Sequence, residues 1–462
     1  MSEIDRGASM SRGRKGSKLL RITIVTLIAT FLFASSLSLL SDPSSEIQPA
    51  PLPAGIVSLP PHDPIYIEGN AGFLDPDNAT TGISWGNGTE DNPYIIEGWN
   101  ISALVANGVM IRNADVHFVV RSCYIHDDVI DYIAIYLYNC TNGIISGNNC
   151  TSSPYGIYLD SSSNNTLINN DCSVNGRGIY LLSSSNNTLI NNDCSSNTIG
   201  IDLEASSNNT ISNNTCSISG SIGIRLIASS NNNTLINNTC SQNSNYGIET
   251  DSSNGNTLIN NTYTYNTNSG ILIYNSNANK LLGNNASNNQ FGVYLWLGGG
   301  TIVMNNTVSN NSQYGMRINQ APNNVITNNT VSNNVHYAVY VWSATSRNNM
   351  IWNNTFYHNN GSGDSYLQSK NQALDSGGVN WWNSTDGYGN YWADWTTPDI
   401  DFRPGIVDLP YNITGTRHAQ DSYPLTAPQV SAPPIPEFSE LIVPIVGLML
   451  IALIFGRTKK ET

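Results

Sequence analysis

The chain has 462 residues, enough to bury a sizeable core, and only 11% of them are charged. Asparagine is unusually frequent, at 67 residues, while aromatic residues make up 9%. Between positions 50 and 430 there are 10 Lys and Arg against 26 Asp and Glu, so this part lacks the basic surface that binding to a nucleic-acid backbone needs. The aromatic content favours a packed chain over a disordered one.

Residues 1–41 have the layout of a signal peptide or an uncleaved N-terminal anchor. A basic stretch at 12–21 precedes an apolar stretch at 22–40. Because a basic flank stays on the cytoplasmic side of a membrane, we expect the body of the protein to be exported. Residues 42–64 then form a Pro-rich linker.

Residues 108–363 repeat one short unit. Each unit opens with a small residue followed by apolar residues one and three positions later, and successive openings lie 22–26 residues apart. The openings are Gly108, Ala134, Gly156, Gly178, Gly200, Gly223, Gly247, Gly270, Gly292, Gly315 and Ala338. Such a unit cannot bury its own apolar face, but stacked units can. The repeat predicts an all-β fold, a right-handed parallel β-helix of about ten to eleven coils, most of them 22–24 residues long, flanked by terminal membrane segments.

Two columns of residues follow from this register. An asparagine recurs about 14 positions after each opening, and stacked asparagine amides can hydrogen-bond along the axis. These are Asn148, Asn170, Asn192, Asn214, Asn238, Asn261, Asn284, Asn306, Asn329 and Asn354. A second column, about 16 positions after each opening, holds Cys150, Cys172, Cys194, Cys216 and Cys240, then Tyr263, Ala286, Val308, Val331 and Phe356. A position that accepts all these side chains is predicted to face the core, where thiols behave as small apolar groups; soft-metal binding and coil-to-coil disulfides are the alternatives.

The repeat is flanked by segments without its period. Residues 65–107 are predicted to form an N-terminal cap and the Trp-rich residues 364–425 a C-terminal cap, because an uncovered end would expose unpaired strand edges. A Pro-rich linker at 426–440 leads to residues 441–462, where an apolar stretch is closed by basic residues. This last segment is predicted to be a transmembrane anchor or a processed sorting signal.

The N-terminal sequence PYIIEGW, the GIYL and NNTLINN coils and the closing sequences GNYW and DSYPL together resemble NosD-like right-handed β-helix repeat proteins, especially archaeal surface members. The resemblance covers about residues 60–425. The C-terminal IPEF element resembles PEF-type sorting signals. The family shares its coil with polysaccharide lyases, epimerases and hydrolases, and its founding member is an accessory in copper delivery. Because fold does not determine function, the resemblance implies the fold more firmly than any activity.

Residues two and four positions after each opening are predicted to face outward and to stack into one stripe. Aromatic residues at its two ends are candidates for stacking on sugar rings: Tyr136, Tyr158, Tyr180, Tyr274, Tyr294, Trp296, Tyr340 and Trp342. Weaker catalytic candidates occupy its centre: Asp202, Glu204, Glu249, Asp251 and Arg225. Asp202 and Glu204 have backbones ~6.6 Å apart on one strand, which overlaps the ~6.5–9.5 Å carboxylate spacing of inverting glycosidases. Cross-strand packing of aromatic residues and neutralisation of the acids by Arg225 explain the same pattern without a ligand.

The sequence predicts no cofactor. In the family a closing acidic stretch looks like a calcium loop, and this chain keeps Asp399, Asp401 and Asp408 but places Phe402-Arg403-Pro404 between them, which disfavours a hard cation. The six histidines form no metal-binding motif, so copper delivery is implied by the family name alone. Twenty N-x-S/T sequons, including Asn164 and Asn213, are candidates for glycosylation.

We therefore predict an exported, surface or membrane-anchored β-helix protein with a structural or glycan-binding role. An extracellular carbohydrate-active enzyme is the alternative, and a copper-delivery accessory comes third. The expected partners are a polysaccharide or surface glycan and, through the terminal segments, a membrane; nucleic acid is not expected.

Overall fold

The computed structural model describes residues 59–74, 78–126, 131–396, 405–416 and 418–428. The predicted signal or anchor at 1–41 and the C-terminal segment at 441–462 lie outside these residues. Within the described part, no helix is long and apolar enough to cross a membrane.

Short strands make up nearly all of the regular structure. In the first part of the chain they are β1 (Pro61–His62), β2 (Ile65–Glu68), β3 (Ile83–Trp85), β4 (Tyr94–Glu97), β5 (Asn100–Ser102), β6 (Val109–Arg112), β7 (Phe118–Arg121), β8 (Tyr124–His126), β9 (Ile135–Tyr138), β10 (Gly143–Ser146), β11 (Asn149–Thr151) and β12 (Tyr155–Asp160). The middle coils contribute β13 (Thr166–Ile168), β14 (Arg177–Leu182), β15 (Thr188–Ile190), β16 (Ile199–Glu204), β17 (Thr210–Ser212), β18 (Ile222–Ile227), β19 (Thr234–Ile236), β20 (Ile248–Asp251), β21 (Thr257–Ile259), β22 (Ser269–Tyr274), β23 (Lys280–Leu282) and β24 (Phe291–Trp296).

The last coils contain β25 (Ile302–Met304), β26 (Thr307–Ser309), β27 (Met316–Asn319), β28 (Val325–Thr327), β29 (Thr330–Ser332), β30 (Val339–Trp342), β31 (Met350–Trp352), β32 (Thr355–Tyr357), β33 (Ala373–Asp375), β34 (Tyr391–Trp392), β35 (Tyr411–Asn412) and β36 (Gln420–Asp421). Helical structure among the described residues is confined to α1 (Gly69–Gly72), α2 (Asn78–Thr81) and two 3₁₀ turns at Asn359–Gly361 and Gln368–Lys370. This agrees with the lack of a 3.6-residue apolar period in the sequence.

The strands stack into three faces of a right-handed β-helix of about 11 turns, as predicted, and their pairing is parallel except between β3 and β4. Sheet 1 has 13 strands, in the order β2-β6-β9-β12-β14-β16-β18-β20-β22-β24-β27-β30-β33. Sheet 2 also has 13 strands, in the order β3-β4-β7-β10-β13-β15-β17-β19-β21-β23-β25-β28-β31. Sheet 3 is split into β1-β5-β8-β11 and β26-β29-β32-β34, and single-residue bridges connect the coils between them. Parallel stacking thus extends into both segments predicted to be caps.

The register along the rod is the predicted one. Ile157 pairs with Ile179 and Leu159 with Leu181 in sheet 1, and Leu167 pairs with Leu189 in sheet 2. All of these side chains are fully buried, so like residues stack on like in a single continuous core. The glycine that opens a coil lies against the backbone of the next coil. At Gly200 a Cβ atom would lie 2.6 Å from the carbonyl oxygen of Gly223, which explains the glycine there.

The asparagine column is confirmed as a buried hydrogen-bonded ladder. Each side chain donates through Nδ2 to the Oδ1 of the next coil's asparagine, as from Asn148 to Asn170 at 3.0 Å and from Asn329 to Asn354 at 2.9 Å. The ladder continues one step beyond the predicted set, to Asn390. The residue just before each ladder asparagine, such as Asn169 or Asn213, takes a left-handed backbone conformation with φ near +57°. The hydrogen-bonding asparagine and the residue that makes the left-handed turn are therefore neighbours in the chain.

Two further ladders were not predicted. One includes Asn165, Asn187, Asn209, Asn233, Asn256, Asn324 and Asn349; the other includes Asn175, Asn197, Asn243, Asn266, Asn289, Asn311, Asn334 and Asn359. All of these residues are buried. They lie at the other corners of the coil, where the buried backbone also needs partners.

We expect the buried ladder to contribute much more to stability than the exposed asparagine beside it. Asn238 is fully buried, accepts from Asn214 and donates to Asn261 and the Ile211 carbonyl. Asn238→Ala leaves several buried groups unpaired, so the free energy of unfolding in urea should fall by roughly 3 kcal/mol or more. Asn237→Gly, which keeps the left-handed turn at an exposed position, should change it by less than about 0.5 kcal/mol. Equal losses of unfolding free energy in the two variants would contradict the larger contribution of the buried ladder.

The cysteine column faces the core, as predicted. Cys150, Cys172, Cys194, Cys216 and Cys240 all have 0% exposure, and Tyr263, Ala286, Val308, Val331 and Phe356 continue the column at 0% exposure. All seven cysteines are free thiols, which excludes the disulfide alternative in this structure. Burial raises the pKa of Cys150, Cys172, Cys194 and Cys216 well above its ordinary value, so these thiols stay protonated and unreactive.

Thiol titration checks this arrangement. The native protein should react very slowly with a water-soluble disulfide reagent, because the seven sulfur atoms are buried. After denaturation without reductant the same reagent should detect all seven thiols. Recovery of fewer than three thiols from the denatured protein would show that the column is oxidised.

Candidate functional site

The outer face of sheet 1 carries the residues predicted to form a stripe. Strand pairing aligns Tyr136, Tyr158, Tyr180, Asp202, Arg225, Glu249, Leu272, Tyr294, Arg317 and Tyr340 in one column. The neighbouring column contains Tyr138, Asp160, Leu182, Glu204, Asp251, Tyr274, Trp296, Asn319 and Trp342. The predicted candidates therefore do share one face. Most of them are half-buried, because each coil's side chains lie against those of the next.

A third column on this face was missed by the sequence analysis. It consists of the residue immediately before the opening glycine, as in Tyr155, Arg177, Phe291 and Tyr314. Tyr155 lies 5.5 Å from Tyr180, and Phe291 5.7 Å from Tyr294, between ring centroids. The sequence did contain a signal for this column, since aromatic residues and one arginine occur at that position. Its orientation could not be derived from strict alternation, because the opening glycine and the residue after it are both buried.

The N-terminal aromatic patch is a stack of tyrosines. Tyr158 lies 4.9 Å from Tyr136 and 4.8 Å from Tyr180, measured between ring centroids. The guanidinium carbon of Arg177 lies 4.3 Å from the centroid of the Tyr180 ring. Burial raises the pKa of Tyr136 to about 12. These rings mainly contact one another, and Tyr180 is only 6% exposed, so this patch offers little free ring surface.

Asp202 is held between two arginines. Its side chain has 0% exposure, which differs from the open position expected for it. Arg225 binds it through two hydrogen bonds, of 2.9 and 2.7 Å, and Arg177 approaches from the preceding coil at 3.0 Å. Both carboxylate oxygens are thus engaged by guanidinium groups. The neutralising role that the sequence left open for Arg225 is the one observed here.

The three other acids at the centre have different surroundings. Glu204 accepts a 2.6 Å hydrogen bond from the Tyr180 hydroxyl, and Asp251 accepts one of 2.9 Å from Ser252. Glu249 is half-buried, and burial raises the pKa of its carboxyl group; Asp251 and Asp202 act in the same direction and Arg225 in the opposite one. We call Asp202, Glu204, Glu249, Asp251, Arg177 and Arg225 the charged centre.

The C-terminal aromatic patch comprises Tyr274, Phe291, Tyr294, Trp296, Tyr314, Tyr340 and Trp342. The rings of Tyr294 and Trp296 are stacked, with an interplanar angle of 3° and centroids 5.6 Å apart. Tyr340 and Trp342 are also close to parallel, at 12° and 6.1 Å. Trp342 is 48% exposed. Trp342 is thus more exposed than any ring of the tyrosine stack, whereas Tyr294, Trp296 and Tyr340 are half-buried.

A cleft of about 640 Å³ lies on a different face, beside β1, β5 and β8, where His62, Trp99 and His126 contribute to its lining. The charged centre is on sheet 1, away from this cleft. Of the calcium candidates, Asp399 and Asp401 lie outside the described residues, and Asp408 is half-buried. No group of three or more His, Cys, Asp or Glu side chains able to hold a metal ion occurs among the described residues.

Two family models match the chain. One, described as periplasmic copper-binding protein (NosD), matches residues 86–269, and the other, described as right-handed beta helix region, matches residues 223–376. No curated protein matches the chain. The chain is a NosD-like parallel β-helix protein. The archaeal surface type and the PEF-type signal rest partly on residues outside the described ones and stay predictions.

Several solved structures are similar to this NosD-like protein. The A-module of mannuronan C-5 epimerase AlgE4 from Azotobacter vinelandii is 15% identical with a TM-score of 0.46, covering 51% of this chain and 78% of that one. The periplasmic alginate epimerase AlgG is 13% identical with a TM-score of 0.40, covering 63% and 82%. The catalytic domain of a GH87 α-1,3-glucanase is 16% identical with a TM-score of 0.37, covering 64% and 56%. These similarities concern the β-helix fold alone.

The matched description raises the question of copper. Copper favours clustered Cys, Met and His ligands. In this NosD-like protein five cysteines are spread one per coil along a closed core, and no metal-binding group of His, Cys, Asp or Glu is present among the described residues. The described side chains therefore do not fit a copper ion, and the chemistry of the face has to be derived from its own residues.

The charged centre predicts a clear difference between two aspartates. Asp202→Ala would leave two adjacent, partly buried guanidinium groups without their counter-ion, so the free energy of unfolding should fall by roughly 3 kcal/mol or more. Asp251→Ala removes a partly exposed carboxylate that accepts from Ser252 and should cost less than about 1 kcal/mol. Urea unfolding of both variants measures this. An Asp202 variant as stable as the wild type would refute the structural role.

Proposed function

We propose that this protein is an exported surface protein that binds glycans through the C-terminal aromatic patch. The observation that carries the proposal is the pair of ring stacks on the outer face of sheet 1, Tyr294 with Trp296 and Tyr340 with Trp342, of which Trp342 is 48% exposed. Aromatic faces of this kind stack against the apolar faces of sugar rings. Tyr and Trp also provide hydrogen-bonding groups at the edge of the same surface.

The repeat suits an extended ligand. Successive coils lie ~4.8 Å apart along the rod, so rings from several coils can contact one chain that runs along the axis. Register pairing aligns Tyr274 with Trp296 and Tyr294 with Arg317 on adjacent coils, which makes the patch continuous. An extended polymer fits such a surface better than a compact small molecule, which would need an enclosed pocket.

Catalysis would need carboxylates of the charged centre that are free to act on a substrate, whereas glycan binding would not. Both Asp202 oxygens are engaged by arginines, and Glu204 accepts from Tyr180, so the two carboxylates with the spacing of an inverting pair have internal partners. The enzyme alternative would have to rely on Glu249 and Asp251. Glycan binding at the aromatic patch needs none of the four acids.

The proposed location at the cell surface rests on the two terminal segments. Residues 1–41 are proposed to direct export, and residues 441–462 to hold the protein at the membrane or to be processed there. On an exported protein, sequons such as those at Asn164 and Asn213, whose side chains are exposed, are available for glycosylation. The protein would present its outer face to polymers outside the membrane.

A glycan array followed by titration of the best ligand tests the proposal. The full chain should bind polysaccharides, and Trp342→Ala should weaken the affinity at least tenfold, which corresponds to about 1.4 kcal/mol. The matched control is Trp85→Ala, since Trp85 is 47% exposed but lies on sheet 2 near the other end of the rod. A protein that binds no glycan, or equal effects of the two substitutions, would refute binding at this patch.

A further inference from the structure

Charge is unevenly distributed along the rod. Residues 65–251 contain 17 Asp and Glu against four Arg, whereas residues 252–363 contain no Asp or Glu at all. The basic residues of this second stretch are Lys280, Arg317 and Arg347. Although the protein is acidic overall, with a formal charge of −14, the coils that carry the C-terminal aromatic patch are locally cationic.

Arg317 is the cation at the centre of this patch. It stands between Tyr294 and Tyr340 in the strand register. Its guanidinium carbon lies 4.9 Å from the ring centroid of Tyr294, 5.2 Å from that of Trp342 and 5.5 Å from that of Phe291. The side chain is thus held in place by three aromatic rings of the proposed glycan surface.

The hydrogen-bonding capacity of Arg317 is unused. Among the described residues, no carboxylate lies within 4.0 Å of its guanidinium group, and its Nε atom is buried without an acceptor. The other arginines on the strands of the rod are paired: Arg112 with Glu68, Arg121 with Glu97, and both Arg177 and Arg225 with Asp202. A guanidinium group has five N–H donors and no acceptor, and aromatic faces satisfy its charge only in part.

The surroundings of Arg317 are rich in donors and poor in acceptors. Trp296 Nε1 is also buried without a partner, and Asn319 directs its Nδ2 group at the Tyr294 hydroxyl at 3.4 Å. With no acidic residue in the surrounding coils, nothing in this stretch of the protein competes with an incoming anion or repels it. What the site lacks is therefore an acceptor that carries negative charge.

We propose that Arg317 binds the anionic substituent, a carboxylate or a sulfate ester, of a sugar in the glycan that stacks on the C-terminal aromatic patch. This inference rests on the proposed function and adds the class of ligand. A guanidinium group presents two parallel N–H donors to such an oxyanion, and the adjoining rings exclude water from the pair. The rings bind the polymer, and Arg317 selects the charged one.

Binding of three polymer probes to the full chain tests this. The probes are a polyuronate such as polygalacturonate, dextran sulfate, and uncharged dextran, with affinities measured by affinity electrophoresis at 0.15 M salt. Arg317→Met should weaken binding of at least one anionic probe tenfold or more, and binding of the neutral probe by less than twofold. Lys280→Met, which removes one positive charge from an exposed position on sheet 2, should leave all affinities within twofold of the wild type. The probe that loses more affinity identifies carboxylate or sulfate as the preferred group.

The outcomes separate the inference from the proposed function. If every probe, anionic or neutral, binds to Arg317→Met as tightly as to the wild type, the glycan surface is supported and the role of Arg317 is refuted. Equal losses in the Arg317 and Lys280 variants would show unspecific attraction and refute it as well. If no probe binds and the array is also blank, the proposed function fails. Thermal unfolding checks that each variant folds, and Arg317→Lys, which keeps the charge but loses the planar donor pair, should recover the affinity only partly.

Discussion

Burying a side-chain amide is costly unless its oxygen and its nitrogen have partners, and the ladders that provide most of these partners organise the coils. One residue in seven is asparagine, and three columns of these residues lie inside the coil, at the corners where the backbone turns. In the first ladder each amide links the coil before it to the coil after it. Asn238, for example, accepts from the main-chain and side-chain nitrogens of Asn214 and donates to Asn261. The ladders therefore determine which residues are stacked neighbours, and hence the register of every outer column.

The ladders have a direction. Where an Nδ2 group donates to another amide of its ladder, it donates toward the C-terminal end, so the last donor of each ladder needs an acceptor outside the repeat. All three reach a buried carboxylate: Asn390 donates to Asp421, Asn380 to Asp375, and Gln372, which follows Asn359, to Asp394. Aligned amide dipoles place partial positive charge at that end, and an anion there is favourable, as at the N-terminus of a helix. Burial raises the pKa of Asp421 to about 6, which still leaves the carboxylate ionised at neutral pH.

This explains which features could be predicted from the sequence. The apolar core, the first asparagine ladder and the cysteine column recur at one fixed period, so stacking alone places them. The second partner of Asp202, Arg177, could not be derived in the same way, because it belongs to a different column and to the preceding coil. Strict alternation from the buried Ile179 would bury Arg177, but Gly178 and Ile179 are both buried and Arg177 is not. Likewise, the division of work between Asn169 and Asn170 depends on backbone angles that a repeating sequence does not specify.

The same packing constraint distinguishes the inner scaffold from the candidate site on the outer face of sheet 1. Core residues and ladder asparagines are constrained on all sides by the coils above and below, so the ladder positions keep asparagine and the cysteine column stays uncharged even where other side chains replace cysteine. The outer columns of sheet 1 do not share this constraint, and they change from tyrosine to paired charges to mixed aromatics along the rod. Where these outer residues satisfy one another, as in the tyrosine stack and around Asp202, the face is complete without a ligand. Around Arg317 the face is not complete, because the guanidinium group contacts aromatic rings but its Nε atom has no acceptor. The proposed function is therefore assigned to those coils.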